Sequence, residues 1–406
     1  MLVSAEEMLK KAKAVKNRSG LLYFQRKEYF CSGLKILRTM KKRLLYCLAM
    51  TGILCLTACQ SIEQLSIDYM LPAEVSFPAD LKRVGIVNNM PATPDNKLIT
   101  SDTRKGKAET EIARRTDYYN GDARLTTESL AKAVADANYF DLVVICDSAL
   151  RSQDITPRES TLSQTEVRQL TDELGVDFLL SLENIQLSSL RRVSYLPDWQ
   201  VYYGTVDAKV YPTVKVYLPT RSTPMVTVTP TDSIFWEATG SSETQIFTKL
   251  IPEKDMIEQA SEFAGSVPVK YLIPYWTTAT RYLFTGGTVN MRDAAVFVKE
   301  KNWPAAIELW KVEYEHKKGK SKMYAAYNIA LGYEMQDSIS QAYDWALKAQ
   351  KIAEQVDGIG EKSSQGLYAS DIPNYLMTSA YVNELKTRRE GLTRLKVQMN
   401  RNNDDF

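Results

Sequence analysis

LSQTEVRQLTDELGVDFLLSL, residues 162–182, is the stretch that decides the fold class of the first part of the chain. Ser163 and Glu166 have capping-box spacing: the serine oxygen takes the amide three residues on, and the glutamate reaches back to the serine amide. Leu162 and Val167 flank the box as a hydrophobic staple. Val167, Leu170 and Leu174 share one helical face, and Gly175 stands where a helix ends in the left-handed conformation. Val176–Leu182 then reads as a strand. Its unbroken apolar run Phe178-Leu179-Leu180 calls for cover on both faces. A capped helix feeding a doubly covered strand is the repeating unit of a mixed or parallel sheet.

The same alternation extends toward the N-terminus. Lys82–Asn88 reads as a buried strand, Thr127–Ala137 as a helix (Leu130, Val134 and Ala137 on one face) and Phe140–Cys146 as a second strand. Pro91 to Asp122, dense in Asp, Thr, Lys and Arg, reads as a long polar loop. Residues 59–80, with Pro72 and Pro78, read as a tether. Toward the C-terminus the pattern becomes antiparallel. Val201–Val216 alternates Val206, Ala208 and Val210 against Asp207, Lys209 and Tyr211, and Met225–Val228 and Ser233–Ala238 continue the meander. Pro252–Ala264 reads as a helix with Gly265 as its stop.

Composition sets the class. Of the 406 residues, 44% are apolar and 25% charged, which excludes a largely disordered chain, a collagen-like fibre and a polytopic membrane protein. A single histidine rules out an HExxH site and argues against a histidine-based triad. Twelve of the 51 basic residues and only three of the 49 acidic ones precede Cys59, so the remainder carries a net charge of −7. That remainder offers no basic patch for nucleic acid.

The basic excess belongs to a leader, MKKRLLYCLAMTGILCLTAC, which starts at Met40. Lys41, Lys42 and Arg43 form a positive n-region. The apolar run Leu44–Leu56 is too short to span a hydrocarbon core of ~30 Å as a helix and has the length of a signal-peptide h-region. Leu56, Thr57 and Ala58 before Cys59 resemble a bacterial lipobox: small residues fit the peptidase cleft, and the thiol becomes the thioether to diacylglycerol. The expectation is a signal peptide at 40–58, lipidation at Cys59, and a misassigned start that makes residues 1–39 an extension. Two or three acyl chains give stable membrane anchoring. Gln60, by resemblance to the enterobacterial sorting rule, points to the outer membrane. Gln60–Gln64 lacks the acidic cluster common on surface-exposed lipoproteins of Bacteroidetes, which favours the periplasmic face. Beyond Cys59 only Cys146 remains, so no intramolecular disulfide is expected, and Cys146 in its apolar run reads as a core residue.

The last part of the chain is helical. Asn328, Ala330, Tyr333, Ala342 and Ala349 fall at the offsets of a tetratricopeptide repeat, with small residues where helices approach and Tyr333 filling a groove. Phe297, Trp303, Ala306 and Trp310 suggest an earlier, weaker copy, and Pro373–Met399 one or two further helices that cap the stack. This region resembles a tetratricopeptide array. The expected organisation is α+β/α: a mixed-sheet α/β domain at 81–287, then an all-α tetratricopeptide-like domain at 288–406.

The lipobox, Leu71-Pro72-Ala73, Val84–Asn88, Arg281-Tyr282-Leu283-Phe284, Asp293-Ala294-Ala295 and Asn302–Trp310 together resemble an uncharacterised family of Bacteroidetes outer-membrane lipoproteins with a C-terminal tetratricopeptide region. The resemblance covers about Cys59 to Lys351 and implies a location and an architecture but no activity. At fold level the first domain also resembles the α/β domain of outer-membrane assembly lipoproteins, an analogy that carries no function.

No phosphate-binding glycine loop or paired CxxC is present, and His316, among Glu313, Glu315 and Lys317, reads as solvated surface. Asn88, Asp147 and Glu183 each follow a strand, so they are candidates to meet at one sheet edge, where α/β folds bind ligands. Paired carboxylates there suit acid/base work or a cation; the plainer role is capping or solvation. Trp199, Tyr202, Tyr203, Tyr211 and Tyr217 suit either sugar stacking or sheet packing. The expected function is a non-enzymatic scaffold, with no metal or cofactor, that presents its repeat groove to an envelope protein. The alternative is a glycan- or cation-binding lipoprotein, or a hydrolase, using the sheet edge.

Overall fold

The computed structural model describes residues 62–91, 97–100, 111–146, 148–153, 161–359, 370 and 372–400. The expectations for the leader, for Leu56, Thr57, Ala58 and Cys59, for Asp147 and for the fraying of 401–406 lie outside them.

The α/β part is built on an eight-stranded sheet: β2 (Arg83–Asn88), β3 (Lys97–Thr100), β4 (Glu111–Asn120), β5 (Leu142–Ile145), β6 (Phe178–Leu196), β7 (Val201–Tyr217), β8 (Val226–Val228) and β9 (Asp232–Gly240). The order is β3-β4-β6-β2-β5, with β7 on the other side of β6 and β8 and β9 both along β7. β6 joins the two halves. Its first residues run parallel to β2, from Val84 opposite Phe178 to Asn88 opposite Leu182, and its later ones run antiparallel to β4, from Asn120 opposite Gln186. The strand therefore continues to Leu196, well past Leu182. Ile185, Leu187 and Val193 point to the core while Gln186 and Arg192 point out, an alternation that sustains the strand through polar sequence.

Helices α1 (Ala123–Asp136) and α2 (Gln164–Leu174) connect β4 to β5 and β5 to β6. Both limbs of the Ser163 capping box form, and Gly175 takes the left-handed conformation (φ 66°) with its amide on Asp172 and Thr171. The two helices serve different cores. Leu130 and Val134 of α1 pack with Val84, Ile86 and Phe178; Val167 of α2 packs with Val87, Val176 and Leu179. The parallel strands are thus covered on both faces, as their apolar runs require. α3 (Glu243–Lys249), α4 (Glu253–Ser266) and the single turn α5 (Val269–Leu272) follow. Gly265 is not a stop: it lies inside α4 where α4 crosses α1, and a Cβ there would sit 2.4 Å from the Thr126 carbonyl oxygen.

Two expectations fail in this part. The stretch read as a polar loop contains β3 and β4; β4 lies between β3 and β6, and its Arg114 and Arg115 keep solvent access while Asp117 is buried. From Ile62 on, the tether is ordered structure. Ile62–Leu71 forms β1, paired antiparallel with β10 (Tyr275–Phe284) from Ile62 opposite Phe284 to Leu71 opposite Tyr275. Ile67 and Tyr69 are buried, and Ala73, Val75 and Phe77 beyond the strand are buried too. Phe77 packs edge-on to Phe140, centroids 5.3 Å apart. The prolines prevent a helix here; they do not prevent order.

The rest is helical: α6 (Val289–Lys299), α7 (Trp303–His316), α8 (Gly319–Glu334), α9 (Ile339–Asp357) and α10 (Pro373–Asn400). Each packs on its neighbour in sequence. α10 is one long helix, within the one or two expected from Pro373–Met399. Its far end reaches the α/β part, where buried Gln398 accepts from the Ala73 amide (3.0 Å) and donates to the carbonyls of Ala73 (3.1 Å) and Val75 (2.8 Å). The Tyr139 hydroxyl donates to the Gln398 carbonyl, 3.2 Å. Among the described residues, no helix is long and apolar enough to cross a membrane.

Candidate functional site

The carboxyl ends of β2, β5 and β6 form the sheet edge where α/β folds hold ligands. Glu183 lies there, at the register shift of β6 against β7. Asn88 does not face it; its Oδ1 turns back to accept from the Met90 amide, 3.0 Å. Asn89 takes that place. Its Nδ2 donates to Glu183 Oε2 (2.9 Å), and its Oδ1 accepts from Arg151 Nε (3.1 Å). Arg151 Nη2 donates to Glu166 Oε1, 2.9 Å, which ties the knot to the capping box. The Tyr217 hydroxyl donates to Glu183 Oε1 (3.0 Å), and Lys215 Nζ lies 3.8 Å from Oε2. Burial first, and the Glu183 charge second, push the Tyr217 hydroxyl well above its ordinary value. Hydrogen bonds from the Ser163 amide first, and the Arg151 guanidinium after it, hold Glu166 below the usual carboxylate range. Each polar group here is answered by another of the chain. The signal that sequence reasoning missed is the Asn88-Asn89 pair: on a strand, one residue decides which face a side chain meets.

The aromatic strands do not make one platform. Trp199 stands 76% exposed at the β6–β7 turn, Tyr217 is buried, and Tyr203 donates to Glu237 Oε2 at 2.6 Å. Tyr203 and Tyr211 share a strand direction but lie about 27 Å apart along it. Cys146 is half-buried rather than buried, its Sγ 3.6 Å from the Ser148 carbonyl oxygen. His316 lies on the surface with Nδ1 2.8 Å from the Val312 carbonyl oxygen. A pocket of ≈360 Å³ lies by Arg115, Asp117, Arg191 and Glu253. Arg115 Nε donates to Asp117 (3.0 Å) and Arg191 Nη2 to the Ile251 carbonyl (3.0 Å). Among the described residues, no group of three or more His, Cys, Asp or Glu is placed to hold a metal ion.

In the helical part, Ala306, Trp310, Asn328, Ala330, Ala342 and Ala349 are fully buried, and Phe297, Trp303 and Tyr333 pack at the edge of the same core. Asn328 does more than fill space. Its Oδ1 accepts from the Phe284 amide (3.0 Å) and its Nδ2 donates to the Phe284 carbonyl (2.7 Å), so one carboxamide holds the end of β10. The Phe284 ring stacks on Tyr324 at 3.8 Å and meets Tyr327 edge-on at 5.4 Å. The face of α8 that carries Tyr324, Tyr327, Asn328 and Glu334 is therefore covered by β10.

An ion knot secures this contact. Arg281 of β10 donates from Nε to Glu334 Oε2 (2.9 Å) and from Nη2 to Oε1 (3.0 Å), and from Nη1 to Glu384 of α10 (2.6 Å). The Tyr381 hydroxyl donates to Glu334 Oε2 (2.7 Å), Arg388 Nη1 to Oε1 (3.3 Å), and Arg388 Nη2 to Asp337 (2.7 Å). Arg281 lies over the Tyr381 ring (4.8 Å) and Arg388 over Tyr69 of β1 (4.6 Å). Burial alone would lower the pKa of Arg281, but its hydrogen bonds to Glu334 and the charge of that carboxylate outweigh it and raise the value. Burial first and Glu334 second push Tyr381 well up. The elements β1, β10, α8 and α10 thus meet at one buried carboxylate.

Beside the knot runs a cleft of ≈590 Å³. It is lined by Ser66 to Met70 and Trp276 of the ribbon, by Glu334, Met335 and Asp337, and by Arg388, Leu392 and Leu395 of α10.

Residues 81–284, from just before β2 to the end of β10, match the model of a family described as Domain of unknown function (DUF8603). The chain belongs to the DUF8603 family. Its helical part carries a second match, residues 292–387, to Domain of unknown function (DUF6340). This DUF8603 member matches no curated protein and no solved structure.

Proposed function

We propose that this protein is an outer-membrane lipoprotein of the Bacteroidetes type, acylated at Cys59 after cleavage at Leu56-Thr57-Ala58, which faces the periplasm. It acts without catalysis, docking an envelope protein beside its tetratricopeptide-like helices. The observation that carries the docking part is the covered face of α8. β10 already lies there as an extended segment, held through its backbone by Asn328 and through Arg281 by Glu334. The helices are thus built to grip an extended chain, and the chain's own ribbon fills the groove. A partner then meets the ribbon and its rim instead of the groove itself. The sheet-edge alternative draws less support, because Glu183, Asn89, Arg151 and Tyr217 satisfy one another.

The anchoring is tested by labelling cells with radioactive palmitate and fractionating their membranes. Wild type takes label and sediments with the outer membrane, and Cys59→Ser does neither. Equal labelling of both would end the lipoprotein reading. The docking is tested by site-specific crosslinking from Trp276 in the anchored chain. A discrete adduct with one envelope protein is expected; a featureless adduct ladder identical to that from Arg124 on the far α1 surface would refute it.

A further inference from the structure

We infer that the lysine-rich turn between α7 and α8 lies on an anionic phospholipid surface and sets which side of the molecule faces the membrane. This rests on the anchor reading, because acylation at Cys59 is what would bring the turn to the lipid.

The turn stands at the end of the ribbon where β1 begins. α8 runs antiparallel to β10: Asn328 holds Phe284, the last residue of β10, and Glu334, further along α8, holds Arg281. The start of α8 therefore lies beyond Phe284, and Phe284 pairs with Ile62, the first residue of β1. Side-chain contacts give the same placement. Lys320 Nζ sits 5.6 Å from the centre of the Tyr324 ring, and that ring stacks on Phe284 at 3.8 Å. Asn290 in the first turn of α6 donates to Glu313 in the last turn of α7 (2.9 Å), so these two helix ends close the same side. About 13 Å of helix separates Asn328 from Gly319. Gln60 and Ser61 alone stand between Cys59 and Ile62, a link that reaches at most about 11 Å. The lysines thus stand at the level the acylated cysteine can reach.

The chemistry of this end selects the occupant. Glu315-His316-Lys317-Lys318-Gly319-Lys320-Ser321-Lys322 carries four lysines against one glutamate. Lys320 and Lys322 rest on the rings of Tyr324 and Tyr314, and among the described residues no carboxylate pairs with any of the four. Lys318 gives α8 no side-chain cap, so the first amides of the helix lack a side-chain acceptor. Unpaired lysines at a turn are ordinarily just solvated. Here the rest of the molecule has the opposite sign: the chain from Cys59 on carries −7, so an anionic surface repels the body and attracts this end. Basic groups gain from an anionic leaflet only within a Debye length of it, about 8–10 Å. Apolar groups stand beside them, Val289 at 59% exposure and Ile62 at 41%. Lysine stems and such side chains suit the headgroup boundary. Acidic macromolecules would also be drawn to four lysines, but only the membrane is brought within reach by the chain itself. The acyl chains fix one point and leave the body free to tilt; the lysines remove that freedom.

The test is hydrogen exchange of the acylated chain, purified from membranes and reconstituted in vesicles of phosphatidylethanolamine with phosphatidylglycerol, or of phosphatidylcholine alone. The expected result is that amides at 317–322 exchange at least fivefold more slowly in the anionic vesicles, and that about 0.5 M salt removes the difference. The combined variant Lys317→Gln, Lys318→Gln, Lys320→Gln should lose the protection. The variant Lys132→Gln, Lys209→Gln, Lys254→Gln takes the same charge from exposed sites of the α/β part and should keep it. Unchanged melting temperatures verify that both variants fold, and the lipid and salt comparisons on wild type stand without them. Equal exchange at 317–322 in the two kinds of vesicle overturns the inference, as does protection that survives in the turn variant or is lost equally in the control. The mass of the purified chain separates the two readings. A mass without acyl chains ends the anchor reading and this inference with it; an acylated chain whose turn ignores lipid charge ends the inference alone.

Discussion

Replacing Glu334 by leucine tests whether one buried carboxylate holds the ribbon to the helices. The Glu334 side chain is fully buried and accepts four hydrogen bonds, two from Arg281, one from Tyr381 and one from Arg388. Without it, Arg281, itself 3% exposed, keeps only Glu384 as a carboxylate partner, and that group is on the rim. Breaking a buried pair from one side costs about 3–5 kcal/mol, because the other charge stays buried without its partner. That is a large part of the ~5–15 kcal/mol that stabilises an ordinary domain. At about 2 °C per kcal/mol for a chain of this size, the melting temperature should fall by about 6–10 °C. Hydrogen exchange then locates the loss: β10 amides near Arg281 should lose protection while those of β6 keep it. The combined variant Arg281→Met, Glu334→Leu, Tyr381→Phe removes the stranded groups together. It should recover most of the loss, since replacing a whole buried pair with apolar groups is often neutral. If Glu334→Leu melts within 2 °C of wild type, or the combined variant melts lower than the single one, the knot is not what fastens the ribbon.

Three further predictions concern the frame around it. Gln398→Leu removes the partner of the Ala73 and Val75 backbone groups and should cost about 1–3 kcal/mol; urea unfolding measures the cost, and faster exchange of the Ala73 amide gives its place. Gly265→Ala would gain about 1 kcal/mol in a helix free of neighbours, but here its Cβ meets the Thr126 carbonyl. The measured sign should therefore be a loss, of about 1–3 kcal/mol, and a gain would show that α1 and α4 do not cross closely. Asp177 accepts from the Lys82 and Arg83 amides and from the Arg83 guanidinium. Burial pushes its pKa up, but these bonds outweigh it and hold it below 3.8. A native value below the unfolded one adds stability that is whole above the unfolded value and lost as pH falls through the native one. Asp177→Asn should thus be less stable at pH 7 and lose less on acidification below about pH 4, followed by fluorescence against pH.

What was legible in the sequence was local. The capping box at Ser163 and Glu166 formed as spaced, and Ala306, Ala330, Ala342 and Ala349 went into the helical core. The misses needed partners far along the chain. β1 finds its partner more than two hundred residues later, in β10. Neither strand has a local turn to announce the pairing, and β1 lies in a stretch that Pro72 and Pro78 make read as a linker. β4 reads as loop because Arg114, Arg115 and Asp117 look like solvent-facing residues, yet it is stitched to the Ser- and Arg-rich half of β6. The sheet-edge candidate was off by one position: Asn88 and Asn89 are chemically identical, and only the strand's phase assigns Asn89 to Glu183. Arg281-Tyr282-Leu283-Phe284 was distinctive in sequence, but its role depends on Glu334 and Asn328 of α8.

The order of β1 changes what the proposed anchor does. A tether from Cys59 to residue 80 would let the body roam; a strand that starts at Ile62 leaves only a few residues between the lipid and the fold. Three extended residues reach at most about 11 Å, so acylation at Cys59 would hold the Ile62–Phe284 end of the ribbon at the headgroup surface. The cleft runs from Ser66 to Met70, farther along β1 from that end. Within the ribbon, β10 reaches the Ile62 end through Phe284, where Asn328 clamps it, and Trp276, opposite Met70, lies toward the other end. Lengthening residues 60–61 with a flexible Gly-Ser insert of about 20 residues would free the body by about 25 Å root-mean-square. It should weaken crosslinking from Trp276 to a membrane-embedded partner. Equal crosslinking with and without the insert would mean that the short link does not set the partner's approach.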